Sequence, residues 1–249
     1  MNLVIDIGNT VAKIAVFDLE GSIVEVQYSS NTLLTNTKEL CSKYLVTKGI
    51  VASVTSLTTE VRKYLDALNI PLLWLDHTTH LPIENKYKTP KTLGYDRVAG
   101  VVGAYVKFPN KNILVIDAGT AITYDFINSN GQYCGGNISP GLRMRLRALH
   151  DFTGKLPLVV PGTSDNLLGK STEDAIRSGV TKGIEYEMLG YVQELKREYP
   201  DLLVFLTGGN DFSFETKLKN GIFADRFLVI KGLNRILNYN YNKWDEQKK

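Results

Sequence analysis

An internal repeat constrains this chain more than any other feature of its sequence. Residues 3–8 read LVIDIG and residues 114–119 read LVIDAG, so that Asp117 follows Asp6 by 111 residues. In both copies an apolar run leads to an aspartate, a glycine comes two residues later, and a second apolar run follows, which predicts strand–turn–strand. A long repeat of this kind predicts a duplicated architecture.

Strand-like and helix-like patterns alternate along the rest of the chain, as in α/β proteins. Short apolar runs predict strands at residues 2–18 (two strands), 21–30, 49–54, 71–75, 111–127 (two strands), 131–138 and 201–210. Helical spacing of apolar residues predicts helices at 35–45, 58–68, 96–107, 142–150, 172–178, 182–198 and 233–239. Prolines and polar residues predict a loop at 77–92. We therefore expect two α/β halves, residues 1–112 and 113–249, that face each other across a cleft.

Composition limits the class of protein. The net charge is only +3 and the basic residues are dispersed among almost as many acids, so there is little support for a nucleic-acid-binding face. No stretch approaches the roughly 18–20 apolar residues that span a bilayer. The two cysteines, Cys41 and Cys134, match no metal-ligand spacing, which favours a reduced, cytoplasmic protein without a membrane partner.

The repeated loops carry the chemistry of anion binding. A glycine turn at a strand end lets backbone N–H groups approach a phosphate, and one aspartate suffices for Mg²⁺ when phosphates supply further ligands. The residues concerned are Asp6, Gly8, Asn9, Thr10 and Lys13 in the first loop, and Asp117, Gly119, Thr120 and Thr123 in the second. A single D-x-G is more often a turn that only reverses the chain. Two copies at matched strand ends favour binding of a triphosphate.

A third glycine segment, LTGGN at 206–210, ends a predicted strand and would allow a flat ligand such as adenine to approach the backbone closely. With the two loops before it, the pattern resembles the superfamily of actin, sugar kinases and heat-shock chaperone ATPases. That resemblance implies duplicated actin-like (ribonuclease H-like) domains on either side of a nucleotide cleft.

Four motifs narrow the resemblance to one family. They are DIGNT at 6–10, GYDR at 94–97, DAGTAIT at 117–123 and GGNISPG at 135–141. Their order and distances resemble those of type III pantothenate kinases, and the resemblance runs from Asn2 to about Leu237. It implies ATP-dependent phosphorylation of pantothenate, the first step to coenzyme A, by a homodimer that requires Mg²⁺ and a monovalent cation, K⁺ or NH₄⁺.

The resemblance also implies roles for individual residues. Asp96 would be the catalytic proton acceptor, and Asp117 would bind the monovalent cation. The ATP-binding residues would be Asp6, Ile7, Gly8, Asn9, Thr10, Val11, Ala12, Lys13 and Thr120. The pantothenate-binding residues would be Tyr87, Gly94, Tyr95, Asp96, Arg97 and Thr172.

The residues themselves leave alternatives open. Asp96 and Thr172 also suit helix N-caps, and Tyr87 also suits a partly exposed loop aromatic. The apolar stripe that includes Ile176, Val180 and Ile184 fits burial in the chain's own core and a dimer interface about equally well. For the whole chain, another kinase or phosphatase of the superfamily and a non-catalytic nucleotide-binding transcriptional accessory protein are the alternative functions.

Overall fold

The computed structural model describes residues 1–30, 32–162, 166–209 and 222–247, without the side chains of 243–247. The chain forms two compact units. The first comprises Met1–Pro109, Gly131–Cys134 and Phe227–Lys249, and the second comprises Asn110–Asn130 and Gly135–Arg226. The C-terminal residues thus belong to the first compact unit. The division into duplicated halves at residue 112 stays a prediction.

Eleven strands and six α-helices lie in the described residues. The strands are β1 (Asn2–Ile7), β2 (Ala12–Phe17), β3 (Ile23–Ser29), β4 (Lys48–Ser53), β5 (Leu72–Trp74), β6 (Glu84–Asn85), β7 (Ile113–Ala118), β8 (Ala121–Ile127), β9 (Gln132–Pro140), β10 (Leu203–Gly208) and β11 (Ile222–Ala224). The helices are α1 (Leu33–Lys43), α2 (Thr59–Asp66), α3 (Tyr95–Lys107), α4 (Leu142–Asp151), α5 (Thr172–Glu198) and α6 (Leu228–Gln247).

The first unit is built on a sheet with the strand order β3-β2-β1-β4-β5. β1 pairs antiparallel with β2 and parallel with β4, and every residue of β1 is buried. Leu40 of α1 and Leu65 of α2 join the apolar residues of these strands in one core. α3 and α6 pack so closely that a Cβ on Gly232 would lie 1.8 Å from the Ala99 carbonyl oxygen.

The second unit repeats this arrangement with the strand order β11-β10-β7-β8-β9. β7 pairs antiparallel with β8 and parallel with β10, as β1 does with β2 and β4. α4 and α5 contribute Leu146, Ile184 and Met188 to its core. In both sheets the repeated LVID strand therefore lies in the centre, and its aspartate lies near the strand's carboxyl end.

The structure corrects the helices predicted at 172–178 and 182–198, because these residues form the single 27-residue helix α5. Gly179 lies in the gap between the two predicted helices and Gly183 lies just after it, and a glycine inside a helix costs about 1 kcal/mol. Burial of Ile176, Val180 and Ile184 in the unit's own core outweighs that cost. The apolar stripe of α5 therefore belongs to the core, which leaves other residues to form any interface.

Smaller features were also missed by the sequence patterns. The two-residue strand β6 falls in the predicted loop and pairs with the first residues of β9 within the first unit. β11 was not predicted, and α6 begins five residues before the predicted helix at 233. No helix in the described ranges is both long and apolar enough to cross a membrane.

Candidate active site

The first D-x-G loop joins β1 to β2 and places a lysine beside its aspartate. Asp6 is in register with Lys13 on β2 and with Ala52 on β4, so the three side chains share one face of the sheet. Asp6 is only 7% exposed. Burial raises its pKa to about 6, the Lys13 ammonium opposes this rise, and the carboxylate of Asp96 adds to it. The structure thus brings Lys13 and Asp96 within electrostatic range of Asp6.

Asp96 belongs to the first turn of α3. The N-cap of this helix is Gly94, so the interpretation of Asp96 as an N-cap is wrong. Its Oδ1 accepts a hydrogen bond of 2.8 Å from the backbone N–H of Arg97, which helps to orient the carboxylate. A Cβ on Gly94 would lie 2.6 Å from this Oδ1, which explains why the motif has a glycine there.

Tyr87 and Arg97 pack against each other in the same unit. The Arg97 guanidinium lies over the Tyr87 ring, 5.6 Å from its centroid, although Arg97 is only 7% exposed. The Tyr87 ring also packs on the fully buried ring of Tyr133, with the centroids 6.0 Å apart. Tyr87 is therefore a half-buried loop residue held on both sides, which agrees with the interpretation as a partly exposed loop aromatic.

The second D-x-G loop joins β7 to β8 and has different neighbours. Asp117 is in register with Thr123 on β8 and with Thr207 on β10. Among the described residues, neither Thr123 Oγ1 nor Thr207 Oγ1 has a hydrogen-bond partner, although both atoms are buried. Buried hydroxyls without partners are costly, so we expect a water molecule or another bound group to supply their hydrogen bonds.

Two glycines hold other segments against this second loop. The backbone N–H of Gly141 donates to the Thr120 carbonyl oxygen at 3.0 Å, and a Cβ on Gly141 would lie 2.4 Å from the Gly119 and Thr120 carbonyl oxygens. Gly208 has φ +115°, and a Cβ there would lie 2.4 Å from the Ala118 carbonyl oxygen. Gly208 is therefore required for strand packing, whatever approaches the TGG segment, while Asn210 lies outside the described residues.

Thr172 is the first residue of α5, in the second unit, whereas Tyr87 and residues 94–97 are in the first. Ser171 is the N-cap and accepts a hydrogen bond from the backbone N–H of Asp174, so the interpretation of Thr172 as the cap is wrong. Thr172 is exposed and lines an open cavity of about 830 Å³ between α4 and α5, together with apolar residues such as Leu149, Phe152 and Ile176.

Sequence reasoning missed two kinds of residue at these sites. Thr207 was assigned only to a flat-ligand segment, because its place beside Asp117 depends on a pairing between strands 90 positions apart. Tyr133 was read as part of a strand, and its contact with Tyr87 depends on the short β6–β9 pairing. Both follow from strand register, which no local signal in this sequence specifies.

The comparisons with known proteins give the family. The family model for type III pantothenate kinase matches residues 2–194. A type III pantothenate kinase of Bacteroides fragilis is 63% identical over 240 residues, covering 96% of this chain and 98% of that protein. Proteins of the same name from Phocaeicola vulgatus and Flavobacterium johnsoniae are 56% and 39% identical, each over 96% of this chain and 99% and 98% of their own lengths.

Solved structures share the fold at low identity. A Campylobacter jejuni protein named as a candidate Baf family transcriptional activator has a TM-score of 0.62 at 23% identity, covering 96% of this chain and 99% of its own. A candidate N-acetylmannosamine kinase from Listeria monocytogenes has a TM-score of 0.57 at 13% identity over 97% and 99%. These neighbours confirm the predicted duplicated actin-like α/β fold. The family model and the near full-length relatives show that the chain belongs to the type III pantothenate kinase family.

Proposed function

We propose that the protein transfers the γ-phosphoryl group of ATP to the hydroxyl group of pantothenate, giving 4'-phosphopantothenate and ADP as the first step of coenzyme A biosynthesis. One observation carries the proposal. The carboxylate of Asp96, in the G-x-D-R motif, lies close enough to the first loop to raise the pKa of Asp6. A proton acceptor and a phosphate-binding loop therefore belong to one site, as phosphoryl transfer to an alcohol requires.

Asp96 acts as the general base in this proposal. A bond forms between the pantothenate hydroxyl oxygen and the γ-phosphorus, the bond from that phosphorus to the bridging oxygen of ADP breaks, and the hydroxyl proton passes to the Asp96 carboxylate. The hydrogen bond from the Arg97 backbone holds the carboxylate in one orientation. Its protonation also removes one of the two negative charges that oppose each other beside the first loop.

The residues around Asp96 bind the second substrate. Pantothenate is an acid, and the Arg97 guanidinium, held over the Tyr87 ring, supplies positive charge for its carboxylate. Gly94 and Tyr95 complete the segment that contacts it. Because Arg97 is fixed by burial and by an aromatic neighbour, little of its side-chain entropy is lost on binding.

ATP is bound by the segment from Asp6 to Lys13 and by Thr120. The Lys13 ammonium suits a phosphate, and the Asp6 carboxylate suits Mg²⁺, which neutralises phosphate oxygens when it is bound. The raised pKa of Asp6 supports this assignment, since a buried carboxylate next to a second one is stabilised by a cation.

We assign a monovalent cation, K⁺ or NH₄⁺, to Asp117. The residues fit the group: Asp117 offers a carboxylate, and the buried Thr123 and Thr207 hydroxyls on the same sheet face lack partners among the described residues. Hard cations take oxygen ligands of this kind. Such an ion would supply positive charge at the second loop.

The active unit is proposed to be a homodimer with Thr172 contacting pantothenate. The second unit exposes large apolar side chains, including Leu167, Leu168 and Phe152, and Phe152 lines the same cavity as Thr172. Exposed apolar surface of this kind is typical of an interface. The buried stripe of α5 is not available for it. A cytoplasmic location, where ATP is supplied, completes the proposal.

A substrate panel tests the function. The purified protein is expected to phosphorylate pantothenate, and not sugars or acetate, when ADP release and the phosphorylated product are both measured. Phosphorylation of a sugar alone would favour another kinase of the superfamily. Nucleotide binding without turnover would favour the regulatory alternative, for which the name of the Campylobacter jejuni neighbour provides the motive.

Asp96→Asn tests the mechanism. The amide cannot accept the hydroxyl proton, so turnover should fall by ~10²–10⁴-fold while ATP still binds. Asp66→Asn, at an exposed helix position of the same unit, is the control and should retain wild-type turnover. Near-normal turnover by folded Asp96→Asn would remove Asp96 from the mechanism.

Mixing inactive protomers tests the homodimer and Thr172 together. If pantothenate is bound by Asp96 of one protomer and Thr172 of the other, mixtures of Asp96→Asn and Thr172→Val should recover up to about a quarter of wild-type turnover, because one complete site forms in each mixed dimer. No recovery despite proven subunit exchange would contradict a shared site.

A further inference from the structure

A hydrogen-bonded ion pair joins α4, α5 and the end of β9 in the second unit. Arg145 of α4 donates from Nη2 to Ser139 Oγ and to Glu187 Oε2, both at 2.6 Å. It also donates from Nε to the Pro140 carbonyl oxygen at 2.6 Å. One guanidinium thus holds the SPG end of the GGNISPG motif from two directions, which its planar fork of donors allows.

Glu187 of α5 is the acceptor that holds Arg145 in place. Its Oε1 accepts a hydrogen bond of 2.7 Å from the Tyr124 hydroxyl, and its Oε2 accepts from Arg145. Burial alone would raise the pKa of Glu187, but hydrogen bonds from Arg145, Tyr124 and Ser139 outweigh burial and hold the pKa below its ordinary value. The side chains of Arg145 and Glu187 are 21% and 26% exposed, so the pair is less screened than a surface salt bridge.

This pair is connected to the second phosphate loop by the backbone. Pro140, which Arg145 contacts, is followed by Gly141, whose N–H donates to the Thr120 carbonyl oxygen. Gly141 lies directly on the loop, because a Cβ there would clash with the Gly119 and Thr120 carbonyl oxygens. A shift of Pro140 would therefore be transmitted to Thr120 through one peptide unit.

We propose that Arg145 and Glu187 are positioning residues for nucleotide binding. They fix the end of β9, and through Gly141 they hold Thr120 and the second loop in the geometry that binds the phosphates of ATP. The inference rests on the proposed function only in taking Thr120 as an ATP contact. Neither residue touches the nucleotide in this account, and both act through the backbone of residues 139–141.

Two measurements test this role on the full-length protein. The first is the Kd for a non-hydrolysable ATP analogue with Mg²⁺, titrated without pantothenate. The second is the KM for ATP and for pantothenate in the kinase assay. Arg145→Gln and Glu187→Gln remove the pair while keeping a similar side-chain size. Arg147→Gln is the matched control, because Arg147 lies two residues away on α4, is 76% exposed and, within the described part of the chain, forms an ion pair only with Asp151 of its own helix.

We expect both variants to raise the Kd for the analogue and the KM for ATP by ~10–100-fold, since small misplacements of binding groups have effects of this size. The KM for pantothenate should stay within about twofold. The double variant should be no worse than the poorer single variant, because the two residues act as one unit. Arg145→Lys should not restore affinity, since an ammonium cannot reproduce the three contacts of the fork.

Tyr124→Phe separates a positioning role from a role in forming the proposed homodimer. Arg145 and Thr172 both line the cavity between α4 and α5, whereas Tyr124 does not. Tyr124→Phe should raise the Kd for the ATP analogue by ~3-fold, and Ser139→Ala should do the same. These two variants also test the proposal if Arg145→Gln fails to fold.

Unchanged affinity for the analogue in folded Arg145→Gln, or in both milder variants, would overturn the proposal. An equal loss of affinity in Arg147→Gln would overturn it as well. A wild-type protein that binds the analogue but does not phosphorylate pantothenate would contradict the proposed function and leave this test intact.

Discussion

The two D-x-G loops lie at equivalent places in the two sheets and differ in what surrounds their aspartates. In the first sheet Asp6 is in register with Lys13 and Ala52, and four residues separate the last paired positions of β1 and β2. In the second sheet Asp117 is in register with Thr123 and Thr207, and three residues separate the last paired positions of β7 and β8.

This difference concerns the source of positive charge. The first loop has its own ammonium group at the position paired with the aspartate. The position paired with Asp117 has a hydroxyl, and a second hydroxyl lies on the other side, both without hydrogen-bond partners among the described residues. A duplicated strand–turn–strand unit has thus kept its aspartate while its paired position differs. We propose that the first loop neutralises a phosphate with a side chain and that the second uses a bound cation.

The largest effect is expected at Asp6, in the stability of the protein without Mg²⁺ and nucleotide. Its pKa of about 6 is raised above the ordinary 3.8, so the folded state holds a proton that the unfolded state has released between about pH 4 and pH 6. Wild-type stability should therefore fall as pH rises through this window. Asp6→Asn removes this loss, and its advantage over wild type should grow by roughly 2 kcal/mol between pH 4 and pH 7.

Urea unfolding at several pH values measures this advantage. In Lys13→Met, the pH range over which stability falls should extend to higher pH, because the Lys13 ammonium lowers the pKa of Asp6. An Asp6→Asn advantage that does not change with pH would show that the pKa of Asp6 is not raised in the folded protein. An unchanged pH window in Lys13→Met would show that Asp6 and Lys13 are not coupled.

A smaller effect is expected when the second loop is given the charge of the first. Thr123→Lys places an ammonium at the position that pairs with Asp117, as Lys13 pairs with Asp6. It should reduce the stimulation of turnover by K⁺ to about twofold or less, a change of about 1.4 kcal/mol for each tenfold lost. Thr123→Val is the control, which removes the hydroxyl without adding charge. Equal K⁺ stimulation in Thr123→Lys and wild type would contradict the comparison.

Much of the fold follows from local patterns, and much of the site follows from motifs. The paired strands around Asp6 and Asp117, the helix that begins beside Asp96 and the strand before Gly208 were all predicted, because apolar runs and glycine turns are local signals. α5 was predicted as two helices, and burial of its apolar residues in the core keeps it helical through the residues between them.

What the sequence did not reveal depends on contacts between distant residues. Arg145 and Glu187 are 42 positions apart and lie on two helices whose local patterns are those of core packing. Thr207 lies beside Asp117 only because β10 pairs with β7. Strand register and helix–helix contacts arise from packing of the whole unit, so they could not be predicted from residue types alone.

The central claim is that this protein is a pantothenate kinase whose second phosphate loop depends on an added cation. The most direct measurement is the rate of 4'-phosphopantothenate formation by the wild-type protein with ATP and Mg²⁺, in KCl and in the chloride of a bulky organic cation at equal ionic strength. The account predicts product in KCl or NH₄Cl and a rate at least ~10-fold lower with the bulky cation. Full activity with the bulky cation would contradict the comparison of the two loops, and absence of product in every salt would contradict the function.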